Sequence, residues 1–137
     1  MRTETRAAKH TVRAIFVKLL RHSRTDRGMT LIEEDSRCIR RGELHEIVVT
    51  DTDPLPGGRI DRVGFLGFVE VTSAGVIEVG DRVLLRERPI GTVVGFDACH
   101  YPNHYNVLIR AGELLTATTT ELGLDDEMAF LDAADDA

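Results

Sequence analysis

One rhythm constrains this chain more than any other feature. From residue 44 onward, runs of β-branched and aromatic residues return about every ten positions, each closed by a glycine-bearing turn. Residues 44–50, 63–71, 81–87, 92–96, 106–109 and 113–115 read as strands. The breaks between them are Asp51-Thr-Asp-Pro-Leu-Pro-Gly-Gly58, Ser73-Ala-Gly75, Arg88-Pro-Ile-Gly91 and Ala111-Gly112, all rich in turn formers. Gly64 and Gly67 interrupt the longest run, and a glycine inside a strand marks a bend, a bulge or a close backbone approach. Strands at this spacing predict a mainly β fold, a small closed or partly open barrel. With 137 residues the chain is long enough to bury a core without disulfides or a structural metal.

The two ends follow other patterns. Residues 1–11 are polar and read as a mobile segment. Residues 12–20 carry apolar side chains at helical spacing (Val12, Ile15, Phe16, Leu19, Leu20) but also much β-branched content. The Thr25-Asp-Arg-Gly28 turn favours strands, pairing this run with residues 29–32 as a hairpin. A single barrel domain then spans residues 12–118. Residues 119–131 are expected to form a short C-terminal helix, capped by Thr120 with acids near its start and weakened by Gly123. Residues 132–137 form an acidic tail.

A net charge of −6 conceals an uneven distribution. Residues 1–45 hold eleven Lys and Arg against six Asp and Glu, whereas the remaining 92 hold six against seventeen. The basic residues alternate with Glu33, Glu34, Asp35 and Glu43, and no stacking aromatics punctuate them, so nucleic acid is disfavoured as a partner. Cys38 and Cys99 have no metal or redox spacing and are expected to be reduced thiols. The leading residues are charged through Arg13 and lack the apolar run of a signal peptide or a spanning helix. A cytoplasmic protein without membrane contact is the expectation.

Chemistry-bearing residues concentrate in Asp97-Ala-Cys-His-Tyr-Pro-Asn-His-Tyr-Asn106, a loop between two expected strands. His100, Tyr101 and His104 are candidate catalytic residues, since imidazole transfers protons near neutral pH and a phenol positions or donates one. Pro102 opposes a helix that would align the two histidines. If a divalent metal is bound, His45, Glu46, His100 and His104 are the nitrogen and oxygen donors in view. Alternatively, the loop's His, Tyr and Asn side chains serve the backbone of the turn. Cys99 and His100 are neighbours and on a strand would face opposite ways, which weakens a thiol–imidazole pair. Arg24 and Arg27, with Asp97, form a candidate substrate- or anion-binding set, because a guanidinium meets oxyanions in bidentate fashion. The plainer reading of Arg24 and Arg27 is a charged hairpin tip, with Asp26 neutralising one of them. No dinucleotide, P-loop, G-x-S-x-G, H-E-x-x-H or EF-hand motif occurs.

Gly42, the run Leu44-His-Glu-Ile-Val-Val49, Val63-Gly-Phe-Leu66, Ile77-Glu-Val-Gly-Asp-Arg-Val83 and Ile90-Gly-Thr92, followed by the loop ending at His104, carry a resemblance. In this order they resemble the small (alpha) subunit of 2-amino-4-oxopentanoate thiolase, over roughly half the chain. That resemblance implies a small barrel serving as accessory subunit to a larger pyridoxal-phosphate-dependent subunit. The cofactor would be reached only through that partner, since this chain's lysines are Lys9 and Lys18. Pro102-Asn-His-Tyr105 departs from the family loop in having no acid beside the histidine. Gly67-Phe-Val-Glu70, then Gly75-Val-Ile-Glu-Val-Gly-Asp-Arg-Val83, is also similar to the barrel of translation-factor second domains, which bears on fold alone. Three functional readings stand: an accessory subunit in amino-acid or specialised metabolism, a stand-alone enzyme, monomeric or homo-oligomeric, built on the His/Tyr loop, and a non-catalytic ligand-binding barrel.

Overall fold

Val, Ile, Phe and Leu at alternating positions need a pleated surface with a covered face, and the chain provides it by closing its strands on themselves. A computed structural model describes residues 9–54, 57–98 and 104–133. Its strands are β1 (Val12–Leu19), β2 (Ser23–Arg24), β3 (Met29–Thr30), β4 (Ser36–Ile39), β5 (Leu44–Thr50), β6 (Arg59–Ile60), β7 (Val63–Ser73), β8 (Gly75–Glu78), β9 (Arg82–Leu85), β10 (Arg88–Asp97), β11 (Asn106–Arg110) and β12 (Glu127–Leu131). Seven of them form a ring in the order β1-β12-β9-β10-β11-β5-β7, closed by pairing of β7 with β1. Every contact in the ring is antiparallel except β11 with β5, which run parallel. The expected mainly β fold is what the chain adopts.

The ring interior is filled by a cluster drawn from all seven strands, including Phe16, Ile47, Leu66, Val83, Phe96, Ile109 and Phe130. Two short sheets lie against the ring, β3 with β6 and β4 with β8. The first covers a second cluster on the outer face, where Met29, Leu31 and Ile60 meet Val48, Phe65 and Leu108. The second adds Ile39 and Ile77 to the interior cluster. Alternation therefore sorts β5 cleanly: Ile47 and Val49 point in, Val48 points out, and all three are buried.

Gly67 performs the task expected of a strand glycine. A Cβ there would lie 2.0 Å from the Lys18 carbonyl oxygen, and register shifts occur beside it against both β1 and β5. Gly91 is similar, its missing Cβ leaving room for the Arg110 carbonyl oxygen at 2.0 Å. Arg88-Pro-Ile-Gly91 is consequently strand, not turn. The hairpin turns one step earlier at Arg86 and Glu87, both left-handed at φ 50° and 69°.

Other expectations need correction. Residues 12–20 are largely strand, as favoured, but β1 does not form a hairpin with residues 29–32; it pairs with β7 and β12, while β3 pairs with β6. Residues 113–115 are not a strand. The C-terminal helix over 119–131 does not form. Thr116 and Thr119 exchange side-chain bonds with each other's backbone, and Thr120 donates its hydroxyl back to the Thr116 carbonyl at 2.8 Å instead of capping forward. Glu121 and Asp125 are left-handed, and Asp126 receives the Gly123 N–H at 2.7 Å. These local bonds spend the helix-forming residues on turns, and residues 127–131 emerge as β12. Residues 1–8 of the expected mobile segment and 134–137 of the tail lie outside the described residues. None of the described helical residues forms a helix long and apolar enough to cross a membrane.

Candidate functional site

Buried polar side chains are the informative exceptions in a β core. Among the described residues seven polar or charged residues are buried, and four of them, His45, Glu46, Asp97 and Asn106, gather where β5, β10 and β11 meet. The register aligns Asp97 with Asn106, Asn106 with Glu46, and Glu46 with Phe68 in one row across the sheet. Phe96, Val107 and Ile47 beside them point inward, so this row faces out.

His104 stands over the row. Its ring meets Phe68 edge-on at 5.2 Å, and its Nε2 lies 3.9 Å from Glu46 Oε1, within ion-pair distance. Asp97 also borders a pocket of about 280 Å³, together with Arg27, Gly28, Thr30, Ile32 and Ala98. The far wall is a segment stitched to the sheet. Ile32 donates its N–H to Phe96 O, Arg27 donates to Asp61 O, and the Gly28 N–H reaches Asp61 Oδ1 at 2.9 Å. Gly28 is left-handed at φ 69°, which turns the segment over the pocket.

His45 faces the other way, toward the ring interior. It accepts the Tyr105 N–H at Nδ1 (3.1 Å) and donates from Nε2 to Glu43 Oε1 (3.1 Å), which fixes a neutral tautomer with both nitrogens occupied. Partial burial pushes the Glu43 carboxyl up, but hydrogen bonds from His45 and the Arg40 N–H outweigh it and hold the group below its ordinary value. The Tyr105 ring stacks on His45 at 6.0 Å, and the Arg37 guanidinium lies 4.4 Å from the centre of that ring.

The proposed sets thus separate. Arg27 and Asp97 do share a pocket, while Arg24 is exposed and bonds Asp26 Oδ1 at 3.3 Å, the plain charge neutralisation of a turn. Of the donors named for a metal, His45 and Glu46 project to opposite faces of β5 and do not converge. His100 and Tyr101, with Cys99, lie outside the described residues. Among the described residues no three His, Cys, Asp or Glu side chains gather so as to hold a metal ion. Lys9 Nζ is bound to Asp81 and Glu78 at 2.6–2.8 Å, and Lys18 projects outward into solvent from β1.

Arg37, Glu43 and Tyr105 escaped sequence reasoning. Arg37 sits in a run of charges that reads as a solvated face, and only its spacing of two from the buried Ile39 hints that it turns inward.

A family profile matches the chain over residues 6–131. Nothing among curated proteins or solved structures matches it. A match of that extent settles membership: the chain belongs to DUF6917, a family of unknown function.

Proposed function

We propose that this chain is a small β protein of amino-acid or specialised metabolism that takes a small polar substrate at the Arg27–Asp97 pocket, acting as an accessory subunit of a larger enzyme. One observation carries the first half: a pocket of about 280 Å³ opens beside a buried polar row, with Arg27 and Asp97 among its lining residues. Such a pair suits a molecule that presents an anionic group to one side and an amine or hydroxyl to the other. The second half is supported by the resemblance to the thiolase small subunit and by the engaged state of Lys9, which leaves an imine-forming lysine to a partner. The work is assigned to the cytoplasm.

The stand-alone alternative rests on His104. Its imidazole Nε2 lies 3.9 Å from the Glu46 carboxylate, within ion-pair distance, and an imidazole beside a carboxylate is suited to proton transfer. A homo-oligomer using His104, with His100 and Tyr101, is then the functional unit.

Native mass spectrometry of protein purified gently from its own host decides between them. A stoichiometric larger chain, identified by peptide sequencing as a cofactor enzyme, supports the accessory role. A homo-oligomer carrying a small-molecule mass supports the stand-alone enzyme. In either case Asp97→Asn and Arg27→Met should each release the small molecule. Its retention by both variants would remove the pocket from the proposal.

A further inference from the structure

Among the described residues, Arg37 is a cation without a counter-ion. It lies on β4 opposite Ile77 of β8, and it shares the ring-facing side of β4 with Ile39. Its Nε is buried and has no hydrogen-bond partner, and no ion pair engages its guanidinium among the described residues. The carboxylate on the same side of the cluster is already occupied: Glu43 Oε1 accepts from the Arg40 N–H and His45 Nε2, and its Oε2 lies 3.6 Å from Arg40 Nε. Nor does His45 compete for an anion, since its ring is neutral and both nitrogens are bonded. What holds Arg37 is the face of Tyr105 at 4.4 Å. A ring under a guanidinium restrains its long side chain and leaves all five N–H donors unspent. A partly buried fork of donors with no acceptor is unfavourable until something supplies oxygens.

We propose that Arg37 is an anion-recognition residue, its Tyr105-backed guanidinium taking the carboxylate or phosphate oxygens of a small ligand at this end of the ring. Bidentate oxyanions match the guanidinium fork, and no carboxylate among the described residues pairs with it. The site stands apart from the Arg27–Asp97 pocket, because Arg37 and His45 face the ring interior whereas Asp97 belongs to the outward row. It therefore holds whether or not a substrate enters that pocket.

The test is an NMR titration of the full ¹⁵N-labelled chain with sodium phosphate and, separately, with sodium acetate. It follows the Arg37 Nε–H signal and the Tyr105 amide. A saturable shift of both signals is expected with at least one anion. Response to phosphate alone assigns a phosphate ester as the natural ligand, and response to acetate alone assigns a carboxylate. Arg37→Lys, which keeps the charge and the stem, should weaken binding about tenfold or more, as loss of a charge-assisted hydrogen bond requires. Arg37→Met should abolish the Tyr105 response while the Arg27 Nε–H signal behaves as in the parent. Linear drift without saturation for both anions would overturn the proposal. So would an Arg37→Lys chain that binds as tightly as the parent, a comparison that stands even if the methionine variant does not fold.

Discussion

Replacing Lys9 by Met isolates a largely buried ion pair. The Asp81 side chain is only 4% exposed, and its two oxygens accept from Lys9 Nζ at 2.8 and 2.6 Å and from the Glu78 N–H at 2.8 Å. Lys9→Met keeps the apolar stem but strands the carboxylate with one backbone donor. Breaking a buried pair costs about 3–5 kcal/mol, whereas an exposed pair contributes about 0–1. The Lys9 side chain is 16% exposed, so water reaches the gap and lowers the expected cost to about 2–3 kcal/mol. Urea unfolding measures it directly. Asp81→Asn in the Lys9→Met background should then be far milder than in the parent, giving a coupling energy of about 1–3 kcal/mol.

The same pair has a pH signature. Burial pushes the Lys9 ammonium down, but its bonds to Asp81 and Glu78 outweigh that and hold it above its ordinary value. A raised value means the stabilisation is complete below the ordinary 10.5 and disappears as pH climbs through the folded value. On the alkaline side, parent and Lys9→Met stabilities should converge through that range. A loss below about 0.5 kcal/mol at neutral pH, or a loss undiminished by Asp81→Asn, would refute the reasoning.

Further outcomes follow from other parts of the fold. Glu87→Gly should stabilise the chain by about 0.5–1 kcal/mol in the same urea assay, because the left-handed turn position at φ 69° penalises any Cβ. Gly91→Ala should cost about 3 kcal/mol or more, since its Cβ would meet the Arg110 carbonyl oxygen at 2.0 Å and part β10 from β11. Glu43 is held below its ordinary value of 4.5, so its contribution is present above that pH and is lost as pH falls through the folded value. Acid titration of stability in Glu43→Gln should show that part of the slope removed.

Much of the fold was legible because strand chemistry is local. Residues 44–50 coincide with β5, and Gly64 and Gly67 signalled the close approaches that bend β7. Where the reading failed, a residue's usual preference was overruled by a distant neighbour. Pro89 and Gly91 look like a turn, yet Gly91 is there to admit Arg110 from the next strand. Leu122, Met128 and Phe130 have apolar spacing that suits a helix, but β1 and β9 both offer β12 an open edge, and pairing there buries Met128 and Phe130. The site divides the same way. Asp97 and Arg27 are recognisable by type, whereas the stack of Arg37 on Tyr105 depends on β4 crossing to β8 and on the parallel register of β11 with β5, which no local pattern encodes.

The position of β12 in the ring has a consequence for synthesis. Residues 127–131 are the bridge between β1 and β9, so neither of those strands has its full complement of partners until the last of the ring strands leaves the ribosome. Through most of translation the nascent chain must carry two unpaired edges, with Phe16 and Val83 still open to solvent or to a neighbouring chain. Closure is then a late event joining segments more than a hundred residues apart, which makes it slow and leaves the unfinished sheet exposed to misassociation. Exposed cations on β1 such as Arg13 and Lys18 are well placed to keep copies apart during that interval.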